Sequence, residues 1–152
     1  MDNLTEVQAA TLQRFLEAWK KWDAQEWMAT FADDFTQVTL PFSLGIPNRT
    51  RAQVEEILPA LMAIVKSYEL TIHHVIHDAE KNKAAVYASS KGILPWGLWE
   101  VEYSTYITFS EAGDKVSVLE EMIDPTFMRD FGPKFKQYLQ DNGGPVAVAA
   151  TG

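Results

Sequence analysis

The chain has 152 residues, a net charge of −8 and no cysteine. That length suits one domain with a proper core. The lack of any basic cluster argues against nucleic acid and anionic membranes, and the lack of cysteine excludes disulfides, thiol catalysis and cysteine-ligated zinc.

The start, MDNLTEVQAA, has neither a basic cluster nor an apolar run, so no signal peptide is expected. No stretch is long and apolar enough to span a bilayer. A cytoplasmic location is therefore expected. Five Trp, five Tyr and eight Phe are a rich aromatic supply. They read either as core packing or as the walls of a pocket for a flat or polycyclic ligand.

Thr5 to about Trp22 reads as an amphipathic helix. Thr5 and Gln8 have capping-box spacing, and Leu12, Phe15, Leu16 and Trp19 make an apolar stripe. Asp23 with Glu26 repeats the signature and opens a short helix through Trp27, Met28 and Phe31, ended by Asp33-Asp34. Phe35 to Leu40 alternates as a strand. Pro41 to Asn48 is a loop on its Pro and Gly content. Thr50 with Gln53 caps a third helix through Val54, Ile57, Leu58, Leu61, Met62 and Val65, which Pro59 should kink or split.

Tyr68 to Gly92 reads as two strands joined by a charged turn. All three histidines lie in the first strand. Strict alternation puts His73 and His77 on one face with Val75, and His74 opposite with Ile72 and Ile76. Pro95-Trp96-Gly97 is a turn. Trp99 to Ser110 is a long strand with Glu102 and Tyr106 on its polar face and Trp99, Val101, Tyr103 and Ile107 on its apolar face. Val116 to Ile123 is the last strand, in which Glu120 and Glu121 point to opposite faces and Met122 shares the parity of Asp124. Asp124-Pro125 starts a short closing helix through Phe127, Met128 and Phe131.

Helices first and consecutive strands after them predict an α+β fold rather than an alternating α/β one. A strongly curved antiparallel sheet wrapped around the N-terminal helices would make a cone with an internal cavity. Residues 1–140 read as a single domain, and 141–152 as a Gly/Ala tail with little reason to fold.

This order of elements resembles the SnoaL-like, nuclear-transport-factor-2-like (ketosteroid-isomerase-like) superfamily. A fungal branch of isomerases and cyclases acting on meroterpenoid, polyketide or alkaloid intermediates is the nearer likeness. It is carried by Leu40 to Asn48, by Ile72 to Asp78 with Ala88-Ser89-Ser90, by Glu102-Tyr103 and by Glu120 to Asp124. The resemblance implies a cofactor-free, metal-free enzyme that moves protons in an apolar cavity. It implies His73 and Asp124 as the acid–base pair and Asn48 as a substrate contact. The Arg that many relatives carry before the loop's Pro is here Ile46, and an acid before the hairpin strand is here Tyr68 or displaced to Glu69.

Each assignment has a plainer alternative. Asp124 before Pro125 is also an ordinary helix cap. His73 is also an ordinary half-buried strand histidine, and His77 on its face is an equal candidate. Two such histidines and a carboxylate would also suit a metal. The expected catalytic set is His73 and Asp124, assisted by Glu121 or Glu102. Asn48, Tyr68, Trp96, Trp99, Tyr106 and Met122 are the expected substrate contacts, with no metal and no cofactor. The expected activity is isomerisation or cyclisation of a hydrophobic polycyclic natural-product intermediate. A dehydratase or hydrolase in the same cavity, or a non-catalytic binding or dimerisation module, is the alternative. A homodimer is expected through Trp99, Val101, Tyr103 and Ile107.

Overall fold

The computed structural model describes residues 2–143. Helix α1 (Asp2–Lys21) buries Phe15 and Trp19 completely. Removing each such side chain from water contributes roughly 1.5–3 kcal/mol. Thr5 and Gln8 do not form the expected cap. The helix begins at Asp2, so Thr5 lies inside it. Gln8 is 0 % exposed and is used in tertiary bonds instead.

Helix α2 (Ala24–Met28) is capped by Asp23, whose side chain accepts from the Glu26 N–H. The helix ends at Met28, earlier than the sequence predicts, and strand β1 (Phe31–Leu40) absorbs Phe31. The Phe31 and Phe35 rings stack at 4.0 Å, and the pairing with the last strand is irregular between Phe31 and Thr36. That irregularity leaves Asp33 and Asp34 in solvent while both rings stay buried.

A single 3-10 turn (Phe42–Leu44) and a two-residue strand β2 (Arg49–Thr50) lead into helix α3 (Arg51–Ile64). Thr50 and Gln53 form the full capping box. The helix continues through Pro59, where a kink or split was expected. One lost hydrogen bond is offset there by burial of Ile57, Leu58 and Met62.

Strands β3 (Lys66–Asp78), β4 (Lys83–Leu94), β5 (Gly97–Phe109) and β6 (Val116–Ile123) form a meander. The six strands make one curved, unclosed sheet in the order β2-β1-β6-β5-β4-β3. Every pairing is antiparallel except β1 with β6, which is parallel. The α+β cone is thus present.

The inner face of the sheet is the apolar face of β5. Trp99, Val101, Tyr103 and Ile107 are all buried there. They therefore cannot form the self-pairing surface assigned to them. The outer face carries Glu102 and Tyr106, and Tyr106 is 42 % exposed.

Strict alternation also fails in β3. The register with β4 slips between Ile72 and His74, so His73 occupies a bulge. A bulge inserts one residue and reverses every face beyond it. His77 then pairs with buried Ala84 on the inner side. His73 turns outward and bonds Ser89 across 2.8 Å. His73 and His77 are therefore separated, and no three His, Asp or Glu among the described residues are grouped to hold a metal.

Helix α4 (Pro125–Asp141) is longer than expected. Phe131, Phe135 and Leu139 continue its apolar stripe at four-residue spacing and are buried. Asp141 closes this helix. The rest of the expected tail, beyond Gly143, lies outside the described residues. No helix among the described residues is long and apolar enough to cross a membrane.

Candidate functional site

Strand pairing lines up four polar side chains at one end of the inner face. Gln37 on β1 lies opposite Arg49 on β2, and Thr39, two residues on, lies beside Glu121 on β6. All four line a cavity of about 120 Å³. Its walls are mainly apolar. Trp19 and Trp27 come from the N-terminal helices and Trp22 from the turn between them, Trp99 and Tyr103 from β5, and Phe131 and Phe135 from α4.

Glu121 is only 6 % exposed. Its Oε1 accepts a 2.8 Å hydrogen bond from Gln37 Nε2. Burial pushes its carboxyl above the usual carboxylate range, against the opposing pull of Gln37 and of the Arg49 charge. Arg49 shares the cavity but makes no ion pair within 4.0 Å among the described residues. Burial lowers its guanidinium from the ordinary value, and Glu121 opposes this. Its Nε is buried without a hydrogen-bond partner, and so is the Nε1 of Trp27. A native interior leaves few such donors unpaired. Both residues line the cavity, though neither nitrogen has surface open to it.

Behind the walls runs a hydrogen-bonded aromatic layer. Trp19 Nε1 donates to the Tyr68 hydroxyl at 2.9 Å, and the Tyr68 ring stacks on Trp22 at 3.5 Å. Trp99 Nε1 donates to Ser90 Oγ at 2.9 Å, and Ser90 shares a 2.8 Å bond with the Tyr103 hydroxyl. Burial pushes Tyr68 up to about 12 and Tyr103 well above the ordinary phenol value. Both phenols stay neutral and hold the indoles in place. The rigid layer fixes the cavity's shape.

The residues expected from the sequence scatter around this cavity. Glu121 and Trp99 line it. Tyr68 stands one layer behind, through Trp19 and Trp22. Trp96 packs under α4 against Phe131 and Tyr138. Asn48 is exposed beside Arg49. His73, Glu102, Tyr106 and Met122 lie on the outer face, where the Tyr87 hydroxyl donates to Glu102. Asp124 is exposed, and its Oδ1 accepts from the Thr126 N–H at 2.9 Å as a helix cap. Glu121 is thus the one carboxyl of the expected catalytic set that lines the cavity.

Gln37, Thr39, Arg49 and Trp27 are cavity residues that escaped the sequence reading. Gln37 and Thr39 sit two apart on one face of β1, which is a legible signal. Arg49 has no such mark, because its two-residue strand has no periodicity to read. It supplies a guanidinium three residues beyond Ile46, the position where the resemblance implied one.

The comparisons with known proteins agree with this architecture. Residues 12–118 match the model of the SnoaL-like domain. The chain is 74 % identical over 145 residues to "Monooxygenase AgnL5" of Paecilomyces divaricatus, covering 95 % of this chain and 90 % of that protein. It is 66 % identical over 146 residues to "Monooxygenase AacuO" of Aspergillus aculeatus, covering 96 % and 91 %. Among solved structures it is similar to the BvnE pinacolase of Penicillium brevicompactum. The TM-score is 0.78 at 22 % identity, covering 88 % of this chain and 93 % of that one. That likeness establishes the cone, and the family match covers most of the strands that build it. The chain belongs to the SnoaL-like domain family.

Proposed function

We propose that the protein is an isomerase or cyclase acting on a hydrophobic polycyclic natural-product intermediate, with Glu121 as the proton-transferring group. The observation that supports this most is a buried carboxyl, lifted above its usual range, in a tryptophan-walled cavity that also holds an arginine. A carboxyl shifted towards the working pH can both take and return a proton. Arg49 stabilises the negative charge that appears on the substrate when the proton leaves. Gln37 holds Glu121 in one orientation, and Thr39 adds a hydroxyl beside it. The indole walls exclude water and fix the substrate's plane, so shape directs which bond forms. In this reading His73 and Asp124 are outside the chemistry. The structural neighbour BvnE is described as a pinacolase, a name that denotes a skeletal rearrangement.

The name monooxygenase, carried by AgnL5 and AacuO, favours a second reading. Deprotonation of an electron-rich substrate by Glu121 would then precede attack on dioxygen. One oxygen atom would replace two hydrogens of a substrate methylene and the other would leave with them as water, so that the substrate itself supplies the electrons.

One experiment separates the two. Purified protein is incubated with an extract of a producing host lacking the gene, with and without oxygen. Mass spectrometry follows the accumulated intermediate. A product of equal mass formed in both atmospheres supports the isomerase or cyclase. A product that gains one oxygen atom and loses two hydrogens, formed only in air, supports the monooxygenase and sinks the first reading. Loss of one water supports a dehydratase.

A further inference from the structure

The cavity is smaller than its proposed occupant. Its volume is about 120 Å³, whereas sites for drug-sized ligands measure roughly 300–1,000 Å³. A polycyclic substrate therefore enters only if a wall moves. Several walls are tied by directional bonds: Trp19 to the Tyr68 hydroxyl, Trp22 to the Met62 carbonyl at 2.9 Å, Trp99 to Ser90 and Glu121 to Gln37. Helix α4, which brings Met128, Phe131, Gly132 and Phe135 to the cavity, is built differently. Among the described residues its side chains bond only within the helix or at its caps, as in Lys134 to Asp130, Gln137 to Asp141 and the Asn142 amide to the Tyr138 carbonyl. Its N-terminal cap is tied to the sheet, where the Asp124 N–H donates to the Glu102 carbonyl at 3.3 Å. Beyond that point the helix rests on aromatic contacts. Phe127 and Phe131 meet Trp99 edge-on, and Tyr138 lies 5.8 Å from Trp96.

We infer that the distal half of α4, residues 133–141, is a gate that swings away from Trp96 about Gly132-Pro133 to admit substrate. The inference rests on the proposed reading of the cavity as a site for a polycyclic molecule and says how that molecule reaches it. Pro133 has no N–H, so the Arg129 carbonyl lacks its helical partner, and Gly132 beside it adds backbone freedom. Helices bend at such positions. Moving this half carries Phe135 out of the cavity and leaves Phe127 and Phe131 on Trp99. Separating aromatic contacts strands no buried donor or acceptor, so this motion costs less than breaking any of the indole bonds. Lys134, Gln137 and Gln140 keep the outer side of the gate in water in either position. Exposure of Phe135 and Leu139 keeps the open state a minority until the apolar surface of a ligand covers them.

The test staples the gate shut in the full-length protein. Ala63 on α3 and Tyr138 on α4 line one groove, and the chain has no cysteine of its own. Ala63→Cys with Tyr138→Cys is therefore joined by a short bismaleimide whose internal disulfide a reductant cleaves. Uptake of 1-pyrenemethanol, a flat four-ring probe, is followed by energy transfer from tryptophan. The stapled protein is expected to take up the probe at least about tenfold more slowly than the unstapled double variant, and cleavage of the staple is expected to restore the rate. Pro133→Ala supplies the missing N–H at an exposed position and is expected to slow uptake as well. Hydrogen exchange gives a second readout. Amides of residues 134–141 are expected to exchange through an opening that depends weakly on urea, and those of Phe15 and Val101 only on global unfolding. Equal uptake with and without the staple, uptake in Pro133→Ala as fast as in wild type, no uptake by the unstapled protein, or exchange of residues 134–141 only on global unfolding overturns the inference. Gated uptake with no conversion of the extract leaves the gate standing and sinks the isomerase reading. Conversion that the staple does not slow does the reverse.

Discussion

Gln37 Nε2 donates a 2.8 Å hydrogen bond to Glu121 Oε1 and so ties β1 to β6 inside the cavity. The two residues are 84 apart in sequence, and only the parallel pairing of β1 with β6 brings them together. The bond favours the ionised carboxyl, yet burial wins and the carboxyl stays shifted upward. This balance has a measurable consequence.

A carboxyl whose folded value lies above its unfolded one contributes stability that is present at low pH. That contribution is lost as pH rises from the usual carboxylate range through the raised value. Glu121→Gln keeps an oxygen for Gln37 and removes the charge. We expect urea unfolding to show the variant more stable than wild type at about pH 8 and no different at about pH 4. A variant less stable at the higher pH would contradict the upward shift.

Arg49 carries the opposite trade. Its unpaired Nε costs stability in the unliganded protein. Arg49→Met should stabilise the protein by about 1 kcal/mol in urea titration while turnover falls steeply. Destabilisation by a similar amount would show that Arg49 is a structural residue.

His73 and Asp124 should separate from the chemistry. His73 is exposed on the outer face. His73→Ala should leave kcat/KM within about twofold of wild type. Asp124→Ala removes a helix cap and should cost about 0.5–2 kcal/mol in stability with turnover retained.

A polar clasp at the far end of the cone offers a purely structural prediction. The backbone carbonyl of Phe109 accepts from Asn82 Nδ2, which fixes the Asn82 amide. Asn82 Oδ1 then accepts from Gln8 Nε2, and Gln8 Oε1 accepts from His77 Nε2–H, both at 2.8 Å. This chain sets the His77 tautomer. Gln8→Leu removes the link and leaves two half-buried partners, His77 and Asn82, unsatisfied, so a loss of about 1 kcal/mol is expected in urea. Turnover measured below the unfolding transition should be unchanged.

Local signals in the sequence were reliable where a cap or a period decides the structure. Asp23, Thr50 and Asp124 all cap helices as their spacing implies. The long alternation of β5 gives two clean faces. Which face is inner depends on the helices that cover it, and no single strand contains that information. The histidine faces failed for a different reason. One bulge residue at His73 reverses the parity of everything after it, and a strand with no Gly or Pro gives no warning of a bulge. Parity said only that one of Glu120 and Glu121 faces inward, and the folded sheet makes it Glu121. Arg49 was not, because its position comes from pairing with a strand twelve residues earlier.

The most direct measurement is conversion of the extract intermediate by wild type, Glu121→Gln and His73→Ala, followed by mass spectrometry. We expect wild type and His73→Ala to give the same product of unchanged mass, and Glu121→Gln to be slower by about 10²–10⁴-fold. Full conversion by Glu121→Gln, or its loss in His73→Ala, would contradict Glu121 as the proton-transfer group and return the chemistry to the outer face.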